Sequence, residues 1–349
     1  MKNLIKILTF SCFVLSSFSL LGKECYDDYC PNIAVFLSSQ SHTFTIEGRV
    51  LFLKPEGNLH YVTEVHPLPR SSQNWKIHDV KPGYHAGFDI GVSYIPRIRT
   101  TNLKLNWEHL HCKDSNSKIA HVSNHRPIST MFKIGPDAPL FTKAKGKSHF
   151  QYDAIKLDGG IFVSFGDYLL ANFYGGLNGT RIKQTLTSKY VNDHRTVSRS
   201  INAPSTFGGL GPQLGVDFAY SLPAGFELSG GATASILVGS INSHTTFKSI
   251  STSSKHLGIK TANSQKIRQQ HRSQVIPAFE GRLGLVYSFE SCSNTIKLEA
   301  GYEAKVFINA IQSTEFSNQV LKPSKRSDFH RHLSNFALSG PYISLNAAF

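Results

Sequence analysis

The chain is 349 residues long, with 37 Lys or Arg against 23 Asp or Glu and a formal charge of +14 at neutral pH. Charged residues make up only 17% of it and the mean hydropathy is −0.18, yet after Lys23 no segment approaches the ~20 apolar residues of a membrane-spanning helix. Membrane-spanning helices are therefore not expected downstream of Lys23, and the recurring long polar connections described below argue against a compact soluble domain.

At the start, Lys2 and Lys6 precede an apolar run from Leu4 to Leu21, and Ser17, Ser19 and Gly22 supply small residues before Lys23. This pattern predicts an export signal over residues 1–22, cleaved between Ser19 and Gly22, with an uncleaved anchor as the competing reading. Cys12 lacks the apolar residue three places earlier that a lipid-anchoring site needs. Residues 23–41 are an N-terminal segment in which Asn32 to Ser39 is expected to hold a first strand. Residues 42–349 read as one domain.

Five hairpins are predicted within it. The first, a weak one, runs through Thr43 to Leu53, turns at Pro55-Glu56-Gly57-Asn58 and returns by Tyr61. The second places Tyr84, Ala86, Phe88, Ile90, Val92 and Tyr94 on one face opposite His85, Asp89 and Ser93, then Leu103, Leu105 and Trp107 opposite Lys104, Asn106 and Glu108. The third spans about His149 to Val163 and Tyr168 to Lys183 around Phe165-Gly166-Asp167. The fourth is the strongest: Leu210 to Leu222 and Phe226 to Val238 alternate apolar and polar on either side of Leu222-Pro223-Ala224-Gly225, a period-two pattern too long for most soluble strands. The fifth pairs Val275 to Phe289 with Ile296 to Asn309 across a turn at Ser291 to Asn294, with Lys297, Glu299, Glu303, Lys305 and Asn309 on one face. A closing strand, Pro341 to Phe349, alternates in the same way and ends on an aromatic residue.

Between the hairpins lie long polar intervals: His66 to Pro82, Cys112 to Lys147, about Lys189 to Phe207, Ile250 to Gln274, and Gln312 to Asn335. Short turns alternating with long loops predict an all-β, transmembrane, antiparallel up-and-down β-barrel. Five hairpins and a closing strand make an odd number, and bacterial barrels are even-stranded, so Asn32 to Ser39 is counted in to give about 12 strands, within a range of 10–14. The largest interval, Lys113 to Lys147, is the candidate for a loop that folds inward and constricts the lumen, against an external cap.

Nearly the whole mature chain, about Ile46 to Phe349, resembles the Legionella-type major outer membrane protein family, also found in chlamydia-like bacteria. The likeness is carried by Gly48-Arg49-Val50-Leu51-Phe52-Leu53-Lys54 with Leu59-His60-Tyr61, by Pro82-Gly83-Tyr84-His85-Ala86-Gly87-Phe88, by Gly211-Pro212-Gln213-Leu214-Gly215-Val216-Asp217 through Gly239, and by Leu298-Glu299-Ala300-Gly301-Tyr302-Glu303. Phe52 stands where the family pattern has Trp. The resemblance implies a pore-forming protein of the Gram-negative outer membrane and supplies no catalytic residues. Trimer formation is an expectation of the family, and homo-oligomer formation is not required by the motifs.

On the faces assigned to the lumen, the acids Glu47, Asp89, Glu108, Asp217, Glu227, Glu280, Glu299 and Glu303 outnumber the bases Arg49, Lys104, Arg282, Lys297 and Lys305. The basic excess then falls in the loops, at Lys255, Lys260, Lys266, Arg268, His271 and Arg272 and at Lys322, Lys325, Arg326, His330, Arg331 and His332. These are expected either to meet outer-membrane lipid and lipopolysaccharide phosphates or host polysaccharides, or to be solvated charges with no dedicated partner. A nucleic-acid partner is not expected. Phe349 is read as the aromatic signal for the barrel-assembly machinery. Cys25 and Cys30 are the expected disulfide, with Cys292 as the other reachable partner and Cys112 at the opposite rim. His109 and His111 share a strand face with Trp107, which favours anchoring at the lipid–water rim over metal binding.

The leading expectation is a porin for passive diffusion of ions and small hydrophilic solutes, with no cofactor and no metal. The alternative is a surface adhesin or structural envelope barrel with a plugged lumen. An enzyme is not expected, because no nucleophile–base constellation stands out among the sixteen histidines.

Overall fold

The computed structural model describes residues 43–67, 73–96, 101–120, 128–130, 141–192, 197–252, 260–269, 272–290, 295–317 and 328–348. The predicted export signal, Asn32 to Ser39, Cys25, Cys30, Cys292 and Phe349 lie outside these. In chain order the strands are β1 (Thr43–Glu56), β2 (His60–Pro67), β3 (Gln73–Asp79), β4 (His85–Ile95), β5 (Thr101–Ile119), β6 (Ile128–Thr130), β7 (Lys143–Phe165), β8 (Leu169–Val191), β9 (Val197–Ser221), β10 (Phe226–Thr252), β11 (Lys260–Arg268), β12 (Arg272–Glu290), β13 (Thr295–Ser317) and β14 (Asp328–Ala348).

Ten of them close into a ring in the order β1, β4, β5, β7, β8, β9, β10, β12, β13, β14, and β14 pairs back onto β1 from Thr45↔Ala348 to Glu56↔Ala337. All pairings are antiparallel. Among the described residues the chain is thus a transmembrane β-barrel of ten strands, the lower end of the expected 10–14. Both edges of β1 are occupied, by β14 and β4, and the stretch Asn32 to Ser39, counted in as a first strand, lies outside the described residues. The predicted return strand at Tyr61 is β2, which leaves the ring and joins β3 and β6 in a separate three-stranded sheet. That departure is the source of the odd count.

Outward-facing side chains draw the bilayer. Ile155, Leu157, Ile161 and Phe165 on β7, and Leu210, Leu214, Phe218 and Tyr220 on β9, stand exposed, as do their counterparts on the other ring strands. From Ile155 to Phe165 the belt occupies about the 9–11 residues that a tilted strand needs to cross a membrane. Aromatic pairs mark its lower rim, Phe44 with Tyr94 at 4.9 Å, Tyr168 with Tyr220 at 6.3 Å and Phe226 with Tyr287 at 4.9 Å between centroids. Phe88 and Trp107 meet edge to face at 5.1 Å at its upper rim. The short turns lie below: Gly166 with φ +70° turns β7 into β8, and a single 3-10 turn at Pro223–Gly225, with Ala224 and Gly225 at φ 64° and 78°, turns β9 into β10. Barrels keep their short turns in the periplasm, so the other end faces outward.

That outer end differs from the expected run of loops. β7 to β10 are 23, 23, 25 and 27 residues long, over twice the bilayer requirement. The interval Cys112 to Lys147 carries the upper part of β5, all of β6 and the first residues of β7; β8 and β9 run on to Val191 and back from Val197; β11 extends β10 through Thr245↔Ile267 and its neighbours. Outside lipid a paired strand has no need of an apolar outer face, so its alternation vanishes while its hydrogen bonds persist. In β13 the register shifts between Phe307 and Ile311, and Asn309, expected on the inner face, is exposed with φ 60° at this bulge. The inward parity passes from Phe307 to Ala310 and Gln312.

Candidate functional site: the barrel lumen

The lumen has two stories. In its lower half the period-two pattern turns a charged side chain inward from almost every ring strand, and these charges find partners across the barrel. Arg49 of β1 is fixed by Glu47 at 3.2 Å, by Asp89 of β4 and by Glu303 of β13 at 3.4 Å. Lys305 of β13 reaches Glu108 on β5 and also Glu303 at 3.1 Å. Lys156 of β7 bonds Glu280 of β12 at 2.5 Å and lies 3.9 Å from Glu108. Nearer the periplasm, Lys104 pairs with Glu47 at 2.6 Å, Arg282 with Asp217 at 3.1 Å and Lys297 with Glu227 at 2.9 Å. Glu299 accepts from Tyr342 Oη and Ser229 Oγ, both at 2.6 Å. Every one of the thirteen lumen candidates faces the interior in this network.

Sequence reasoning missed Lys156 and its neighbour Asp158, which accepts from Gln213 Nε2 at 2.5 Å. Their signal was present, since they alternate with the lipid-facing Ile155 and Leu157.

Above the charges the lumen turns apolar. Tyr152 of β7 meets Phe307 and Phe336 from the far wall at centroid distances of 5.6 and 6.4 Å, and Phe150 meets Phe336 at 5.7 Å. Leu51, Leu53, Leu110, Cys112, Ile182, Phe207, Leu237, Ile241, Ile276 and Leu338 fill the gaps, each with at most 1% of its surface exposed. Cys112 is unpaired and buried in this layer. The layer also had a signature that the alternation scheme passed over: Val50-Leu51-Phe52-Leu53 and Ile236-Leu237-Val238 are apolar on both faces, as a strand must be when lipid lies on one side and a core on the other. The network and the layer touch, since Lys305 Nζ lies 5.9 Å from the centre of the Tyr152 ring.

The three-stranded sheet sits on this core inside the outer end of the ring, against β7 and β8. Tyr190 Oη donates to the Tyr61 carbonyl, Gln184 Nε2 donates to that of Asn58 at 2.9 Å, and Lys118 pairs with Glu64 at 3.2 Å. A Cβ on Gly146 would collide with Tyr61 and Val80, so glycine is what lets the sheet approach β7. Of the expected constriction segment, the described residues 128–130 belong to this sheet. On the outer wall, just above Trp107, His109 Nδ1 and Asp153 Oδ1 are 2.6 Å apart and the rings of His111 and His149 are 4.6 Å apart.

A closed antiparallel ring with a lipid-facing belt, aromatic rims and a charged interior defines an outer-membrane β-barrel protein. The family model for the Legionella pneumophila major outer membrane protein precursor matches residues 37–349. The chain belongs to that family, and its place is the bacterial outer membrane. No curated protein matches it. Among solved structures it is similar to the outer membrane protease OmpT from Escherichia coli, with TM-score 0.44 and 9% identity over 93% of this chain and 99% of that one. It is also similar to the translocator domain of autotransporter NalP from Neisseria meningitidis, with TM-score 0.33 and 10% identity over 89% of each chain. For the Pseudomonas putida toluene transporter TodX the values are 0.31 and 9%, over 89% of this chain and 90% of that one.

Proposed function

We propose that this protein is an envelope barrel with a closed lumen, whose work is done by the β-structured outer end that it holds above the membrane. The observation that carries this reading is the apolar layer. A ring of ten strands is only slightly wider than the eight whose interior side chains alone can fill, and here Tyr152, Phe307, Phe336 and their aliphatic neighbours fill it from wall to wall. A hydrated solute has no path through such packing. No catalytic step is assigned to the chain.

A second reading, a porin passing ions and small hydrophilic solutes, is favoured by the charged chamber beneath the layer and by the pore-forming character that the family resemblance implies. In that case the layer must part. Planar-bilayer recording of the refolded protein separates the two. A closed lumen predicts no resolved conductance steps from the wild-type chain and new steps from the variant Tyr152→Ala/Phe307→Ala/Phe336→Ala. Steady steps from the wild-type chain would overturn the closed-lumen reading and support passive diffusion.

A further inference from the structure

The upper outer wall of β5, β7 and β8 is a ladder of cations. Above the last lipid-facing residues, Trp107 and Ile155, the hydrogen-bonded register aligns His109, Asp153 and Arg181 on one rung, then His111, Gln151 and Lys183, then Lys113, His149 and Thr185. The rungs continue with Ser115, Lys147 and Thr187, with Ser117, Lys145 and Lys189, and with Ile119, Lys143 and Val191. Alternate residues of a strand share a face, so all of these point away from the lumen, about 7 Å apart along the strand. Seven cations therefore stand on one continuous surface with a single carboxylate, and that one, Asp153, is already held by His109 at 2.6 Å and Gln151 at 3.1 Å. Among the described residues none of the seven enters a salt bridge, whereas the inward lysines Lys104, Lys118, Lys156 and Lys305 all do.

Unpaired cations that begin one rung above a lipid-facing belt lie at the depth of the outer-leaflet headgroups. In an outer membrane that leaflet is built from lipopolysaccharide, whose lipid A carries phosphates at this depth and whose core saccharide carries further anions above them. We propose that this wall is a lipopolysaccharide-binding surface. Arg181, Lys183 and Lys113 on the three lower rungs hold the lipid A phosphates, and Lys147, Lys145, Lys189 and Lys143 hold anionic groups of the core. Trp107, Phe88 and Ile155 support the acyl chains below, and the His111–His149 pair fills the space between the cationic columns. Strand-borne cations in fixed register present a preformed array, so binding orders few side chains.

The test is binding of bisphosphorylated lipid A, fully dephosphorylated lipid A and core-bearing lipopolysaccharide to the refolded full chain in neutral detergent. Folding of each variant is confirmed by its heat-dependent shift on a gel. The wild-type chain is expected to prefer the bisphosphorylated form, with an affinity that falls as salt rises. Each cation near a charged headgroup surface contributes about a fivefold factor, so Lys113→Gln/Arg181→Gln/Lys183→Gln should lose about 100-fold for lipid A. Lys143→Gln/Lys145→Gln/Lys147→Gln/Lys189→Gln should keep lipid A binding and lose the preference for core-bearing lipopolysaccharide. Should the triple variant fail to fold, Arg181→Gln alone is expected to lose about fivefold. Equal affinity for dephosphorylated lipid A, or wild-type lipid A affinity in a folded lower-rung variant, would overturn the assignment.

Discussion

Lys305 is the cation on which the lumen's charge balance turns. It faces Glu108 and Glu303 with only 4% of its side chain exposed, and it also lies against the Tyr152 ring. Removing one member of a buried ion network leaves the others unpaired, at a cost of about 3–5 kcal/mol. Lys305→Met is therefore expected to lower stability by about that amount in urea titrations of the folded barrel, and adding Glu108→Gln should recover part of the loss. A Lys305→Met variant as stable as the wild type would mean that water penetrates the network and screens it. At this scale much was legible from residue pattern alone, because an inward charge between two lipid-facing aliphatics has one place to go. Glu47, Asp89 and Glu303 were read in that way. What pattern could not supply was the partner: that Lys156 of β7 reaches Glu280 of β12 depends on which walls oppose each other, and that is a property of the closed ring.

At the level of the element, the three-stranded sheet is an independent piece set inside the ring. It packs tightly on β7 at Gly146, where any side chain would displace Tyr61 and Val80. Gly146→Leu is expected to undock the sheet while the ring remains, since the β5, β7 and β8 ladders do not depend on it. Limited proteolysis should then cut within residues 57–80 of the variant and spare the wild type, with the gel heat shift unchanged; loss of the heat shift would instead tie the sheet to ring integrity. The hairpin β9–β10 was legible because lipid imposed an apolar face on it over many residues. The extensions of β5, β7, β8 and β9 were not, because above the bilayer both faces of a strand can be polar, and Lys143-Ala144-Lys145-Gly146-Lys147 then reads as loop. β2 was misplaced for a related reason: Tyr61 and Val62 carry the apolar character of a membrane strand, and here it serves a core inside the barrel.

At the scale of the molecule, the charge of +14 is distributed with a sense. The lumen holds paired charges with acids in excess, the belt holds none, and the outer wall of β5, β7 and β8 holds unpaired cations. The fold class followed from alternation, turn asymmetry and the absence of spanning helices. The filled lumen did not, since a side chain's being inside says nothing of whether water is there with it until the strand number sets the diameter. Truncating a buried Phe costs about 3–5 kcal/mol, so Phe307→Ala is expected to lower the unfolding midpoint in urea of the refolded barrel measurably even if no conductance appears. An unchanged midpoint would indicate that the layer is loosely packed.

The pairing of β14 with β1 also sets an order of events. Most other ring contacts join strands that are neighbours along the chain, whereas this seam joins the first and last ring strands, from Thr45↔Ala348 upward. It can form only when the last strand has been delivered, and until then two open edges stand ready to pair with any strand they meet. Thr45→Cys/Ala348→Cys would act as a clock for closure, and Ser221→Cys/Glu227→Cys, partners beside the β9–β10 turn, as a clock for hairpin formation. During refolding the second crosslink should appear first, and the first should rise together with the heat-resistant band.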